Sequence, residues 1–252
     1  MYKLSVISMF KNESDILECW LNHYLKEGVE HFYLIDNGST DNYNIILEKF
    51  KNLITLVSDN FRSNQPGTQN ILLNKHFKTK IKKESEWVLI CDMDEYVYNN
   101  EDYKNIPDFL EEVNINISQI KLPWKIFGSN KCVKIPSNII QSLTKRQAKQ
   151  NLSDGYSKTI SRTKDIINLE THKCKVNGLC VYSNLSEEYN DDIKLELNHY
   201  MLISEDYYRN IKCTRGGGQS NFSIKYTMDY FYKNDINFNE LDDIGLSIKN
   251  YK

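Results

Sequence analysis

The chain has 252 residues, of which 40% are hydrophobic, so it can bury one sizeable core, as a single large domain or as one domain with an appendage. It carries 32 Lys and Arg residues against 34 Asp and Glu residues, which argues against a protein that coats nucleic acid. No stretch of 18 uncharged apolar residues occurs, and the first residues lack the apolar segment of a secretory signal. We therefore expect a cytoplasmic protein without a transmembrane segment. The six cysteines include no C-x-x-C pair, which favours free thiols.

The first part of the chain alternates short β-rich runs with helical periodicity. The predicted strands are 3–8, 31–36, 53–58 and 86–91, and the predicted helices are 13–27, 41–51 and 66–83. Such alternation predicts parallel βαβ units with right-handed crossovers and helices on both faces of a sheet. The predicted fold class is therefore α/β, with a mostly parallel, Rossmann-like sheet and a smaller, irregular carboxy-terminal region.

Polar clusters follow three of these strands. Residues 11–13 follow the first strand, residues 36–41 close the second, and residues 92–94 follow the fourth. Because ligands of open parallel sheets bind beyond the carboxyl ends of the strands, we expect the three clusters to converge on one crevice. Two roles stay open for Asp36, which either contacts a ligand or serves only in a turn before a helix that Ser39 or Thr40 caps.

The junction after the fourth strand is the clearest sign of chemistry. An apolar run at 87–91 ends in Asp92, Asp94 and Glu95. Like charges this close repel and raise one another's pKa, so a hard divalent cation such as Mg²⁺ or Mn²⁺ most simply balances Asp92 and Asp94. A metal held by one or two carboxylates keeps open positions that suit the oxygens of a diphosphate. We expect a structural role for Glu95, because such sites rarely need a third adjacent carboxylate.

The second half of the chain is less regular. Residues 115–124 and 157–162 are predicted strands, and residues 141–155 are predicted to form a solvated helix, with a mobile lid as the alternative. Trp124 is expected in the core rather than stacked on a ligand. The three glycines at 216–218 predict either a hinge that moves over a ligand or a passive turn.

Two further patterns lie in this half. His172, Cys174 and Cys180 supply part of a zinc ligand set, but this is a weak pattern without a second paired cluster. The tyrosine-rich tail is expected to pack on the domain. Pairing of two protomers as a homodimer and peripheral contact with a membrane stay open for the tail.

A series of motifs runs in order over most of the chain. They are K-N-E at 11–13, the segment 28–41 that ends I-D-N-G-S-T-D, the segment 87–96 with D-M-D, W-x-x-F-G-S at 124–129, N-H-Y at 198–200 and K-x-x-R-G at 212–216. Together they resemble the glycosyltransferase family 92 and family-2-like group, and their succession is far more specific than a lone D-x-D. The resemblance implies a GT-A fold, a nucleotide-sugar donor that is usually a UDP-sugar, a divalent metal such as manganese, and inverting transfer to a hydroxyl of a glycan or glycoconjugate acceptor.

The resemblance also assigns roles to side chains. Asp36 would contact the uracil, while Asn12 and Glu13 would border the base and the ribose. The other donor-side residues that it implies are Arg62, Gln69, Asn70, Lys158, Lys212 and Arg215, and the metal ligands are Asp92, Asp94 and His199. Through the metal, Asp92 and Asp94 would activate the departing diphosphate. A structural role stays open for His199.

The predicted organisation is one domain over residues 1–220, divided near residue 98 into a nucleotide-sugar-binding half and an acceptor half, with a helical tail over 221–252. Inverting transfer needs a general base, and Asp154 and Glu170 are the acidic residues in the right part of the chain, Asp154 being the candidate that we retain. Three alternatives stay open: a haloacid-dehalogenase-like phosphatase, a nucleotidyltransferase acting on a sugar phosphate, and a catalytically inactive GT-A-like binding protein. Tyr96 disfavours the first, since that motif has a small hydroxyl residue there.

Overall fold

The computed structural model describes residues 1–62, 67–100, 103–215 and 226–249. The strands in these ranges are β1 Tyr2–Phe10, β2 His31–Asp36, β3 Ile54–Ser58, β4 Ser85–Ile90, β5 Glu95–Asn99, β6 Ile117–Ile126, β7 Lys145–Arg146, β8 Ser157–Arg162, β9 Ile166–Asn168, β10 Lys175–Val176, β11 Leu179–Tyr182, β12 Leu195–His199 and β13 Leu241–Asp242. Within the described ranges, nine of them form one central sheet. Its neighbouring strands follow the order β3-β2-β1-β4-β8-β6-β12-β5, and β11 pairs with β6.

The helices lie mostly between the strands of the first half. They are α1 Ser14–Lys26, α2 Tyr43–Glu48, α3 Thr68–His76, α4 Lys78–Glu84, α5 Ile106–Glu112, α6 Ile139–Ser142, α7 Glu205–Tyr207, α8 Cys213–Arg215, α9 Met228–Asn237 and α10 Gly245–Lys249, with a π-helix at Tyr208–Lys212 and 3₁₀ turns at Lys51–Leu53, Asp154–Tyr156 and Thr163–Asp165. In the described part of the chain, no helix is long and apolar enough to cross a membrane.

The amino-terminal half of the sheet is parallel. β1 pairs with β2 and β4, and β2 pairs with β3, all in the same direction. Phe10 lies opposite Asp36, and Asp36 lies opposite Ser58, so these strands end at one edge. β8 runs antiparallel between β4 and β6, and β5 runs antiparallel to β12. The predicted α/β fold with a mostly parallel sheet is confirmed.

Alternate side chains of the central strands pack on opposite faces of the sheet, as the two-residue period of a strand requires. Leu4 and Val6 of β1 pack with Trp20 of α1, whereas Ile7 of β1 packs with Leu72 of α3. All five side chains are completely buried. Helices therefore cover both faces, as the alternation of strands and helices predicted.

The turn from α1 to β2 depends on Gly28. Its φ of +86° lies in the left-handed region that favours glycine, which suits the position just after a helix. A Cβ at this position would lie 2.9 Å from Cδ of Pro107, so the helix end also packs closely on α5. This connection delivers β2 to the sheet with its carboxyl end beside that of β1.

Two predicted helices differ from the structure. The helix predicted at 66–83 is divided into α3 and α4 by Phe77, whose φ of −120° and ψ of −20° depart from the helical values. The helix predicted at 141–155 is wrong. Its backbone instead bonds to neighbouring segments: Gln147 N–H donates to the carbonyl of Ile126 at 2.8 Å, and β7 pairs with β13. Pro66 and the glycine hinge predicted at 216–218 lie outside the described residues.

A strand that the sequence analysis did not predict follows Asp94. The chain reverses after β4, with the Glu95 N–H donating to the Asp92 carbonyl at 3.1 Å, and then continues as β5. β5 pairs with β12, so that Glu95 lies opposite His199. The pairing brings residues from two distant parts of the sequence to the same edge of the sheet.

The described part of the carboxy-terminal tail packs on the domain, as expected. Phe231 of α9 and Phe238, directly after the helix, are buried against Tyr208. The Asp235 carboxylate accepts hydrogen bonds from the backbone N–H of Ser129 at 2.7 Å and from its hydroxyl at 2.9 Å. These contacts join α9 to the loop after β6.

Candidate active site

A cleft of about 1250 Å³ opens at the carboxyl edge of the parallel strands. Its walls include Glu13 after β1, Asn37 after β2, and Asp92 and Asp94 after β4. The structure therefore brings the three predicted polar clusters together. The opposite wall comes from β12, the π-helix and α9, and it includes Lys212.

Asp94 lies at the centre of this cleft, in the turn between β4 and β5. It is buried, and its Oδ2 contacts the Lys212 ammonium and lies 3.4 Å from Nε2 of His199. Lys212 also donates to the Met201 carbonyl at 2.7 Å, which fixes its position. Burial acts to raise the pKa of Asp94, but Lys212 and His199 hold that pKa well below its ordinary value. Asp94 is therefore ionised.

Asp92 forms a second ion pair at the same edge. Its Oδ2 lies 2.8 Å from the Lys158 ammonium, and its Oδ1 accepts a hydrogen bond from Gln69 at 3.1 Å. Burial opposes ionisation, yet Lys158 lowers the pKa of Asp92 overall. The Asp92 side chain is 37% exposed, so it remains accessible from the cleft. Lys158, by contrast, is completely buried.

Glu95 faces away from the cleft and has the predicted structural role. It is completely buried, and its Oε2 accepts the Asp92 N–H at 2.9 Å and lies 3.2 Å from the Lys158 ammonium. Burial raises the pKa of Glu95 to about 8, although Lys158 acts in the other direction. Glu95 therefore braces the turn that carries Asp92 and Asp94.

Arg215 connects the carboxy-terminal region to the end of β1. Its Nη1 lies 2.5 Å from Glu13 Oε1 and donates to the Lys11 carbonyl at 3.3 Å. The Tyr207 hydroxyl donates to the same Glu13 oxygen at 3.0 Å. Burial raises the pKa of Glu13, and Arg215 opposes this rise. Glu13 thus anchors a cation in the wall of the cleft.

Three of the predicted donor-side residues hold loops together. Asp36 accepts the Ser39 N–H at 2.8 Å and the Tyr43 hydroxyl at 3.1 Å, so both of its oxygens belong to the turn after β2. Asn12 has a φ of +55°, and its side-chain oxygen accepts the Thr40 N–H at 2.7 Å. In this turn, Asn37 lines the cleft, whereas Asp36 does not.

Asn70 has a comparable role, because its side-chain oxygen accepts the N–H of Thr171 at 2.9 Å and the hydroxyl of the same residue at 2.7 Å. Arg62, Gln69 and Asn70 all line the cleft. Asn70 therefore both faces the cleft and supports a neighbouring loop, whereas Asp36 and Asn12 support the turn after β2.

Asp154, the proposed base, lines the far end of the cleft but is paired. It lies 2.6 Å from the Lys121 ammonium and 3.1 Å from that of Lys173, and its side chain is 53% exposed. The hydrogen bond from Lys121 is the main cause that lowers the pKa of Asp154. A carboxylate with a lowered pKa is a weak proton acceptor. Glu170 also lines the cleft.

An aromatic cluster separates this end from Asp94. The Trp124 ring is only partly buried, and its centroid lies 4.3 Å from the ring of His199 and 5.4 Å from that of His172. All three residues line the cleft. Trp124 therefore packs on the core and borders the cleft as well. Sequence analysis considered His172 only with the cysteines. All six cysteines carry free thiols, and Cys174 donates weakly to the Glu170 carbonyl at 3.8 Å.

The donor atoms at Asp94 fit a divalent metal in part. Among residues 1–62, 67–100, 103–215 and 226–249, no three His, Cys, Asp or Glu side chains are gathered closely enough to hold an ion by themselves. Asp94 and His199 nevertheless present a carboxylate and an imidazole side by side, and Asp92 is accessible from the same cleft. Carboxylate and imidazole are both acceptable ligands for Mn²⁺, and the remaining positions of such a site are commonly filled by water and substrate oxygens.

The sheet and cleft together define an α/β protein with a polar cleft at the carboxyl edge of its parallel strands. Its acidic turn follows a central parallel strand, and basic residues from the carboxy-terminal region complete the wall. The chain belongs to glycosyltransferase family 92, whose family model matches residues 4–240. No curated protein matches the chain.

Several solved structures are similar over part of the chain. Staphylococcus aureus TarS 1-349 is 26% identical, covers 64% of this chain and 47% of its own, and has a TM-score of 0.40. Glucosyl-3-phosphoglycerate synthase from Mycobacterium tuberculosis, solved with Mn²⁺, UDP and glucosyl-3-phosphoglycerate, is 14% identical, with coverages of 65% and 57% and a TM-score of 0.36. The chain thus spans about half the length of these structures.

Proposed function

We propose that the protein is a metal-dependent glycosyltransferase that moves a sugar from a UDP-sugar to a hydroxyl of a glycan or glycoconjugate, with inversion at the anomeric carbon. The observation that carries the proposal is the ionised Asp94, which lies against His199 and Lys212 in the cleft at the end of β4. Membership of family 92 supplies the reaction class.

The arrangement of charge suits a departing diphosphate. Breaking the bond between the anomeric carbon and a phosphate oxygen leaves negative charge on the phosphate. Lys212 and Arg215 bring positive charge from the carboxy-terminal region to the wall of the cleft. Asp94 and His199, with Asp92, would hold a divalent cation that supplies further charge neutralisation when bound. Asp94 anchors Lys212 and Glu13 anchors Arg215, so the positions of both cations are fixed before a donor arrives.

The cleft also has room for two substrates. Pockets for one small ligand commonly measure about 300–1,000 Å³, whereas this cleft measures about 1250 Å³. Asn37, Arg62 and Gln69 line the donor end, where they offer amide and guanidinium groups to a nucleoside. The preference for uracil rests on the family resemblance. The far end, beyond Trp124, is the place for an acceptor.

The test is calorimetric titration of the protein with UDP in the presence and absence of Mn²⁺. We expect UDP to bind at least about tenfold more tightly with the metal, because the cation offsets the charge of the diphosphate. Asp94→Ala should remove this metal dependence. Asp191→Asn, which changes an exposed carboxylate in a distant loop, is the matched control and should bind as the wild type does.

Release of UDP from a panel of UDP-glucose, UDP-galactose and UDP-N-acetylglucosamine then tests for catalysis. We expect slow, metal-dependent hydrolysis of one donor by the wild type and none by Asp94→Ala. Metal-independent binding of UDP, or equal binding by the two proteins, would contradict the proposal. Binding without any hydrolysis would instead support an inactive GT-A-like protein.

A further inference from the structure

We infer that His172 is the general base that accepts the proton of the acceptor hydroxyl. The inference rests on the proposed transfer reaction and adds to it a residue that neither the motifs nor the family resemblance assigned. Four observations carry it: the hydrogen bonds that hold the loop, the fixed tautomer of the imidazole, the position of Trp124 between His172 and His199, and the ion pairs of Asp154.

The loop that carries His172 joins β9 to β10 and is held against α3. The preceding residue, Thr171, is bonded twice to Asn70 of α3, and the Leu169 N–H donates to Asn74 at 3.0 Å. The Asn74 amide donates back to the Leu169 carbonyl at 2.8 Å. A loop with this many bonds to a helix holds its side chains in place, as a catalytic group requires.

The imidazole has one defined tautomer. Its Nδ1 lies 3.3 Å from the carbonyl oxygen of Ser157, and because a carbonyl can only accept, Nδ1 carries the hydrogen. Nε2 therefore keeps a lone pair, on the opposite side of a ring that lines the cleft. Burial lowers the pKa of His172, Lys158 and His199 lower it further, and Asp92 opposes them. The ring is therefore neutral near pH 7 and keeps the Nε2 lone pair, and the lowered pKa makes it a weaker base than a free imidazole.

Trp124 sets the distance between His172 and the leaving-group end of the cleft. The indole contacts His172 on one side and His199 on the other, and His199 lies 3.4 Å from Asp94. One aromatic ring thus separates the two imidazoles. In the proposed reaction, the anomeric carbon lies in the cleft with His172 on its acceptor side and Asp94 on its diphosphate side, as in-line displacement requires.

The acidic alternative is less suitable. Asp154 is held by two lysines, which stabilise its ionised form and weaken it as a base. Glu170 lies two residues from His172 on the same loop and lines the cleft. It is therefore the competing acid on the same loop, and a loss of hydrolysis in Glu170→Gln that the His172 variants do not share would assign the proton transfer to Glu170 and overturn the inference.

The proposed step balances as follows. The acceptor oxygen forms its bond to the anomeric carbon while Nε2 of His172 takes the hydroxyl proton. The bond from the anomeric carbon to the phosphate oxygen breaks, and the diphosphate leaves with the electron pair. The imidazolium then releases its proton to water through the open cleft. Water can replace the acceptor hydroxyl, in which case the products are the free sugar and UDP.

The test uses water as the acceptor and the preferred UDP-sugar of the panel, with Mn²⁺. His172→Asn keeps an N–H for the Ser157 carbonyl but lacks Nε2, and His172→Ala leaves space for free imidazole. We expect both variants to lose about 100-fold or more in the rate of hydrolysis, the range that general-base catalysis supplies. UDP affinity should stay within about twofold, because His172 acts on the acceptor.

Added imidazole should restore activity to His172→Ala, but not to His172→Asn, where the space is filled. Wild-type protein with the same imidazole sets the baseline, and Asp191→Asn, the exposed control used for UDP binding, should hydrolyse the donor at the wild-type rate. Hydrolysis by both His172 variants at near-wild-type rates would overturn the inference, as would a loss that imidazole does not rescue or that follows a loss of UDP affinity. If wild-type protein neither binds nor hydrolyses any donor, the proposed function itself fails.

Discussion

Lys158 supports two carboxylates at once, because its buried ammonium lies between Asp92 and Glu95. One cation shared by two acids leaves the more deeply buried acid poorly compensated. This explains why the pKa of Glu95 is raised while that of Asp92 is lowered. Glu95 thus holds the turn after β4, and its protonation differs between the folded and the unfolded chain.

Glu95 should give the metal-free protein a measurable pH dependence. The pKa of Glu95 is about 8 in the folded state, against an ordinary value of 4.5, so between these values the folded chain holds a proton that the unfolded chain has released. Stability is therefore lost as the pH rises. Between pH 5.5 and 7.5, the free energy of unfolding of the wild type should fall by roughly 2 kcal/mol relative to Glu95→Gln.

Urea denaturation in EDTA at the two pH values measures this difference. Glu111→Gln, on the exposed face of α5, is the control and should follow the wild type at both values. Equal pH dependence in the wild type and Glu95→Gln would show that Glu95 keeps an ordinary pKa in the fold.

At the scale of single residues, the sequence predicts the acidic residues of the site better than the side chains that contact them. Asp92 and Asp94 are separated by one residue after an apolar run, so the sequence alone predicts that they repel each other. Lys212 lies 118 positions beyond Asp94, and nothing local indicates the contact between them. His172 was equally hidden, because its role depends on Trp124 and Ser157, which come from other strands.

Among the elements, the π-helix at Tyr208–Lys212 contributes Lys212 to the wall of the cleft. π-helices are rare and occur often at functional sites. This one has Lys212 as its last residue, at the contact with Asp94, and is followed by α8, which carries Arg215. Periodicity does not predict a single wide turn, since its side chains have no distinctive spacing. By contrast, the strong apolar stripe of α1 made that helix predictable nearly to its ends.

The α9 helix should depend on Asp235 for its position against the cleft. Asp235→Ala removes two hydrogen bonds to Ser129 and leaves a buried N–H without its acceptor. We expect a loss of about 1–3 kcal/mol in the free energy of unfolding. Because Tyr230 and Asn234 of α9 line the cleft, the KM of the acceptor should rise more than kcat falls.

Asp229→Ala, in the first turn of the same helix, is the matched control. It should cost only a few tenths of a kcal/mol, the size of a first-turn charge effect. Urea denaturation and steady-state kinetics compare the two variants. Equal effects of the two changes would mean that Asp235 does not anchor the helix.

In the molecule as a whole, one continuous sheet joins the two halves that the sequence analysis divided near residue 98. β4 belongs to the first half, yet it pairs directly with β8 of the second, and β5 pairs with β12. The α/β class could be predicted because strands and helices alternate regularly up to residue 91. The order of the later strands in the central sheet could not, because β5, β6, β8, β11 and β12 pair with partners far away in the sequence.

The two lysine contacts also mean that the protein supplies its own counterions. Lys158 and Lys212 balance Asp92 and Asp94 from within the chain, so folding does not wait for an outside cation, as it does in small zinc-dependent domains. Chelation by EDTA should therefore abolish turnover while the melting temperature changes by less than about 2 °C. Calorimetry before and after chelation checks this, and a large fall in melting temperature would contradict it. On the proposed mechanism, the protein depleted of metal should therefore stay folded and regain turnover when the metal is restored.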